Sequence, residues 1–127
     1  TLWCIARSPL IWGGDPLTSD PAVYEVLSNE EVLAVNSDGR DARQSFRIDD
    51  TVGWIARDAP SDDRFLALFN LADDARHVGL NLRSEGLRGV YAVRDLWAGA
   101  ERGRISGWLG ADLPPHGSAL YRVRLSR

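Results

Sequence analysis

The 127-residue sequence predicts a mainly β chain: an antiparallel Greek-key β-sandwich preceded by a short α/β segment. Two observations carry this. From residue 44 onward the chain breaks into short runs rich in Val, Ile, Leu, Phe and Tyr. Turn residues separate these runs at roughly ten-residue spacing, the pattern of a sandwich or barrel. Before residue 37, helix-like runs flank "PLIWGG", a continuous apolar stretch that suits a parallel strand covered on both faces. A 44% apolar content with five tryptophans favours a folded chain over a disordered one. The length allows one core and is too short for two full-sized domains.

The elements follow in order. "TLWCIARS" carries apolar Leu2, Trp3, Ile5 and Ala6 and stops before Pro9, which reads as the last turns of a helix. "PLIWGG", residues 9–14, is the buried strand. In "DPAVYEVLSN", Asp20 is placed to cap a helix with Pro21 at its first position and Val23, Tyr24, Val26 and Leu27 on one face. "NEEVLAVN" opens with Asn29 as cap and Glu30 and Glu31 in the first turn, where the helix dipole favours acids. "SDGRDARQ", residues 37–44, reads as a linker. Strands are expected near 44–48, 52–57, 64–71, 76–82, 89–95, 105–112 and 118–125. "APSDDR" and "ADDAR" fit hairpin connections. Val52, Trp54 and Ala56 share a parity, as do Phe65, Ala67 and Phe69, and both sets are expected to meet inside the sandwich.

Charge and composition narrow the function. Eighteen acidic and fifteen basic residues leave a net charge of −3, and the arginines form no stripe, so neither nucleic acid nor a membrane is an expected partner. No apolar run reaches the roughly 20 residues of a membrane span. The single Cys4 can form no intrachain disulfide and does not fix the compartment. It lies in an apolar stretch without an activating neighbour, so a buried structural thiol is expected. The sequence contains no Met, even at its first position, which is expected of a fragment.

Four motifs in order carry a resemblance. "LWCIARSPLIWGGDPLTSDPAVYEVLSNEEVLAVNSD" resembles the end of the barrel in glycoside hydrolase family 27, the α-galactosidases and α-N-acetylgalactosaminidases. "VGWIARD…RFLALFNLAD", "YAVRDLWAG" and "LPPHGSALYRV" resemble that family's C-terminal antiparallel sandwich. The match covers essentially the whole chain; Gly14 stands where the family more often has Asn. The resemblance implies that residues 1–36 are the last strand and helix of a (β/α)8 catalytic barrel and residues 37–127 the accessory sandwich. It also implies a retaining two-carboxylate mechanism acting on terminal α-linked galactose-type residues. The family's catalytic aspartates sit on earlier barrel strands, so none maps here and the chain alone is expected to be inactive. The implied partners are the missing N-terminal barrel and, for the intact enzyme, an α-galactoside. Self-association through the unpaired strand is a further expectation. No cofactor is implied, and family members are often secreted, periplasmic or lysosomal.

Candidate site residues are few. Ligands of such barrels bind at the C-terminal ends of the strands, which singles out Trp12, Gly14 and Asp15 for substrate contact. Their structural alternative is a tight strand exit at Gly13-Gly14 and a turn at Asp15-Pro16. The pairs Asp49–Asp50, Asp62–Asp63 and Asp73–Asp74 read as solvated turns, and His116 as a turn closure. With only His77 and His116, no metal cluster is expected. Trp54 and Trp97 are expected in the core, while Trp108, in a Gly-flanked segment, is less committed to burial. Exposed tryptophans would suit the alternative of an autonomous carbohydrate-binding module.

Overall fold

The computed structural model describes residues 1–15 and 17–126. Three short helices, α1 (Leu2–Ile5), α2 (Pro21–Leu27) and α3 (Glu30–Asp38), precede eight strands. These are β1 (Gly39–Ile48), β2 (Thr51–Asp58), β3 (Arg64–Asn70), β4 (Arg76–Asn81), β5 (Val90–Asp95), β6 (Ala100–Ser106), β7 (Trp108–Leu113) and β8 (Ser118–Leu125). One sheet has six strands in the order β1-β2-β3-β8-β5-β6, the other is the pair β4-β7, and every pairing is antiparallel. The last strand, β8, lies between β3 and β5.

Alternation along the strands explains the layers. Leu66 and Leu68 of β3 and Tyr121 and Val123 of β8 face Val78, Leu80, Leu109 and Leu113 of the small sheet, forming the inter-sheet core. The opposite parity, Phe65, Ala67 and Phe69 with Val52, Ala56 and Leu120, meets Cys4, Ile5, Val32 and Val35 from α1 and α3. Full burial of each large side chain is worth about 1.5–3 kcal/mol, so this helix-facing layer contributes on the scale of the whole fold. Strand β3 is therefore buried on both faces, which accounts for the unbroken apolar run "FLALF".

Several expectations change in consequence. The sets led by Val52 and Phe65 do meet, but beneath the helices and not between the sheets. There are two cores, one on each face of the large sheet. Residues 37–44 are not a linker: α3 runs to Asp38 and β1 begins at Gly39, bent by register shifts between Arg40/Arg43 and Gln44/Phe46. Bulges break the alternation that would have betrayed a strand. The expected strand at 105–112 is two strands, β6 and β7, divided at Gly107, whose φ of 76° needs glycine. "ADDAR" is not a hairpin but a crossing from the large sheet to the small one, whereas "APSDDR" does join the paired β2 and β3.

The helix caps form as their chemistry requires. Asp20 Oδ1 accepts from Ala22 N at 2.8 Å with Pro21 opening α2, and Asn29 Oδ1 accepts from Val32 N at 3.1 Å. Asn29 Nδ2 also donates to Leu96 O, tying α3 to the segment after β5. Glu31 of α3 grips Arg94 of β5 through two bonds of 2.5 and 2.7 Å. That pairing holds the Glu31 carboxyl below the usual range and raises the guanidinium. Residues 9–14 form no strand: the sequence brings no neighbour to their backbone, so the apolar run has nothing to pair with.

Candidate functional site

Residues 8–15 and 17–20 lie between α1 and α2 as a strap that is held at its start. Asn36 of α3 holds the start by donating to Ser8 O at 2.9 Å and Trp3 O at 3.3 Å. Beyond this, large apolar side chains of α1 and the strap stand in solvent. Trp3 is 67% exposed, Ile11 89% and Leu17 93%, and no residue of α2 is buried. On the face expected of α2, Val26 and Leu27 are exposed while Tyr24 packs against Trp12. Trp3, Leu10, Ile11, Trp12, Leu27 and Leu33 line an apolar groove of about 560 Å³.

The three candidate residues come together on this strap. Trp12 meets Tyr24 edge to face, with ring centroids 5.9 Å apart. Its indole folds back over Gly14, where a Cβ would stand only 2.5–2.7 Å from the ring, so glycine is required by that close approach. Asp15 Oδ1 accepts from Leu17 N at 2.9 Å and Asp15 O from Ser19 Oγ at 2.8 Å, which makes Asp15 a turn former. The other half of the expected Asp15-Pro16 turn, Pro16, lies outside the described residues. All three positions are exposed.

No cluster among the described residues has the geometry of a catalytic centre. Burial raises the Cys4 thiol above its ordinary value, which leaves it inert. His77 and His116 are exposed and pair with Asp112 and Asp73 at 2.7 and 3.0 Å. His116 sits at a φ of 55° in the turn closed by Gly117 N to Pro114 O. Among the described residues no group of three His, Cys, Asp or Glu could hold a metal ion. No helix among them is long and apolar enough to cross a membrane.

Some polar residues escaped the sequence reading. Asp63 is buried and bonded to Arg124 at 3.0 Å, so the Asp62–Asp63 pair is not a solvated turn. Asp58 is buried at the end of β2, accepting from Ser61 Oγ at 2.8 Å. Asn70, 1% exposed, donates to Asp74 O, Leu113 O and Pro114 O and accepts from Ala72 N. Trp54 and Trp97 are half-buried against the helix-facing core, and Trp97 Nε1 donates to Thr1 Oγ1 at 2.8 Å.

Fold and site together define a two-sheet antiparallel sandwich that carries helices on one face and an apolar strap beyond them. The family model of the alpha galactosidase C-terminal beta sandwich domain matches residues 49–123, and the chain belongs to that family. It is 30% identical over 125 residues to the alpha-galactosidase of Coffea arabica, covering 95% of this chain and 33% of the relative. It is 29% identical to that of Cyamopsis tetragonoloba, covering 95% of this chain and 30% of the relative. The chain therefore spans about a third of the length of these curated relatives. Among solved structures, a GH27 β-L-arabinopyranosidase from Geobacillus stearothermophilus superposes with a TM-score of 0.96 at 37% identity, over 100% of this chain and 29% of that one. Alpha-galactosidase I from Mortierella vinacea gives 0.90 at 27% identity, over 99% and 34%. These matches reach past the sandwich into residues 1–36 and bear out the resemblance to glycoside hydrolase family 27. They favour its C-terminal domain over an autonomous binding module.

Proposed function

We propose that this chain is the C-terminal part of a retaining glycoside hydrolase that removes terminal α-linked galactose-configured residues. The observation that carries the reading is the run of exposed apolar side chains Trp3, Leu10, Ile11, Leu17, Val26 and Leu27, continuous with a sandwich whose relatives are alpha-galactosidases about three times as long. In that setting residues 1–36 complete a (β/α)8 barrel. "PLIWGG" becomes its eighth strand, paired on both edges, and the apolar groove is filled by the preceding strand and helix. Trp12, Gly14 and Asp15 then stand at the C-terminal end of that strand, where barrel enzymes bind substrate. The chemistry is that of two carboxylates about 5–5.5 Å apart, one attacking the anomeric carbon and one protonating the leaving oxygen. Both belong to barrel strands outside this sequence.

The substrate class follows the relatives. An α-D-galactopyranoside and a β-L-arabinopyranoside share their ring configuration and differ by the hydroxymethyl group on C5, so one ring-recognising site serves both. The test compares hydrolysis of aryl α-D-galactopyranoside and aryl β-L-arabinopyranoside by the 127-residue chain and by the longer gene product that contains it. Turnover by the longer product alone is expected. Saturable turnover by the 127-residue chain, or none by the longer product, refutes the reading.

A further inference from the structure

Trp108 is the large aromatic residue of the small sheet, and it is 53% exposed. On the outer face of that sheet the cross-strand pairs are His77 with Asp112, Gly79 with Gly110, and Asn81 with Trp108. The inward positions, Val78, Leu80, Leu109 and Leu113, are all buried in the inter-sheet core. The outer face is thus an aromatic ring, two glycines and a ring of polar groups. A Cβ at Gly79 would lie 2.4–2.6 Å from the indole of Trp108, so the ring lies down against the backbone. One aromatic face covers the strands and the other faces water.

The polar groups around this ring are placed to bind. A Cβ at Gly110 would stand 2.6 Å from His77 Nε2 and 3.4 Å from Trp108 Nε1, so both nitrogens sit over the same glycine. His77 Nδ1 is 2.7 Å from Asp112 Oδ1; in the neutral ring Nδ1–H donates to that carboxylate and Nε2 is left as an acceptor. An indole N–H donor and an imidazole acceptor are therefore side by side. Asn81 Oδ1 accepts from Arg83 N at 3.0 Å, and among the described residues nothing takes its amide hydrogens.

We infer that this face binds the pyranose ring of a neutral carbohydrate, stacked on the indole of Trp108 with its hydroxyls held by Trp108 Nε1, His77 Nε2 and Asn81 Nδ2. A pyranose presents C–H groups on one face and hydroxyls around its rim, which matches a flat aromatic surface edged by donors and an acceptor. Area excludes the other kind of occupant. Two strands of six residues make a face about 10 Å by 20 Å, roughly 200 Å², against about 800 Å² per partner in a stable protein interface. A single sugar ring needs no more than this. The site stands independently of the hydrolase reading, which supplies only the choice of galactose-configured probes.

The test is a titration of the ¹⁵N-labelled 127-residue chain, following its five indole N–H signals. The probes are methyl α-D-galactopyranoside, methyl β-L-arabinopyranoside and methyl α-D-mannopyranoside, each to about 100 mM, enough to detect an affinity of order 1–10 mM. Saturable shifts of the Trp108 indole and of the Gly79 and Gly110 amides are expected with at least one probe. Trp108→Ala removes them. Trp108→Phe keeps a ring over the glycines, and so the fold, but lacks the N–H, and weakens binding about tenfold, or about 1.4 kcal/mol. The inference is overturned if shifts are absent or confined to Trp12 or Trp97, or if Trp108→Ala binds unchanged. It is also overturned if the Trp108 signal follows protein concentration and not sugar, since the face then pairs with a second copy. None of these outcomes depends on whether the longer gene product hydrolyses a glycoside.

Discussion

Replacing Asn70 by Ala tests how far one buried amide holds the end of the sandwich together. The two N–H groups of its Nδ2 are shared among Asp74 O at 2.7 Å, Pro114 O at 2.9 Å and Leu113 O at 3.2 Å, while Oδ1 accepts from Ala72 N at 3.0 Å. Two donors and one acceptor amount to three effective bonds at about 1 kcal/mol each, so the loss is about 3 kcal/mol. With 127 residues at about 2.1 cal/mol/K each, the unfolding entropy is about 0.27 kcal/mol/K, and Tm falls by about 11 °C. Calorimetry and urea titration of both proteins measure this. Asn70→Asp is the sharper variant. It keeps the acceptor for Ala72 N but turns an oxygen toward three carbonyls, which lifts the new carboxyl above its unfolded value near 3.9. The variant is then most destabilised above that folded pKa, and the deficit shrinks as pH falls through it and is least below pH ~4. A Tm drop under about 4 °C for Asn70→Ala, the equivalent of one bond, would show that the turns after β3 and β7 stand without the amide.

Phe65→Ala, in the helix-facing core, is expected to cost about 3–5 kcal/mol and to loosen α1 and α3 together, as read by hydrogen exchange at Val32 and Val35. Glu31→Gln is expected to flatten the acid limb of the stability curve. Because Arg94 depresses the folded pKa of Glu31, its contribution is fully present above the unfolded value near 4.3 and is lost as pH falls through the lower folded one. Acid melts of the two proteins compare them directly. The double variant Trp3→Ser, Ile11→Glu is expected to leave Tm within about 1 °C, since exposed positions contribute little. The parent chain is expected to sediment with a concentration dependence arising from its exposed strap, and the double variant is expected to lack it.

The sandwich was legible because most of its strands alternate. Val78, Leu80, Leu109, Val123 and their outward neighbours obey a two-residue period that no helix shares. Caps were equally plain, since Asp20 before Pro21 and Asn29 before two glutamates state their own hydrogen bonds. What escaped notice breaks the period. The first half of β1, residues 39–43, lies at the sheet edge beside a register shift, so its sequence shows neither alternation nor apolarity and only 44–48 read as strand. The boundary between β6 and β7 is one glycine. Continuous apolarity had opposite outcomes in two places: in β3 it marks burial on both faces, and at residues 9–14 it marks a run with no strand beside it. Composition cannot distinguish them, because covering depends on what lies elsewhere. Buried Asn70, Asp58 and Asp63 are of residue types common in exposed turns, and only their three-dimensional partners set them apart. The flat indole over Gly79 and Gly110 needs the register of β4 with β7, which no spacing along the chain reveals.

The place of β8 between β3 and β5 has a consequence for how the molecule is made. During synthesis β1, β2 and β3 can zip into a meander and β5 can pair with β6, but these two blocks are joined in the sheet only by a strand some fifty residues behind β3. Until it arrives, the edge of β3 lies bare, with Phe65, Leu66, Leu68 and Phe69 beside it, a sticky template during translation. Closure must wait for long-range pairing, a slow step in folding. A ribosome that stops before Ser118 would therefore release not a slightly shortened sandwich but two unjoined halves around an open seam. Quality control would meet an aggregating chain from the loss of that one strand, while a break in an outlying loop such as that between β4 and β5 would leave the keystone strand in place.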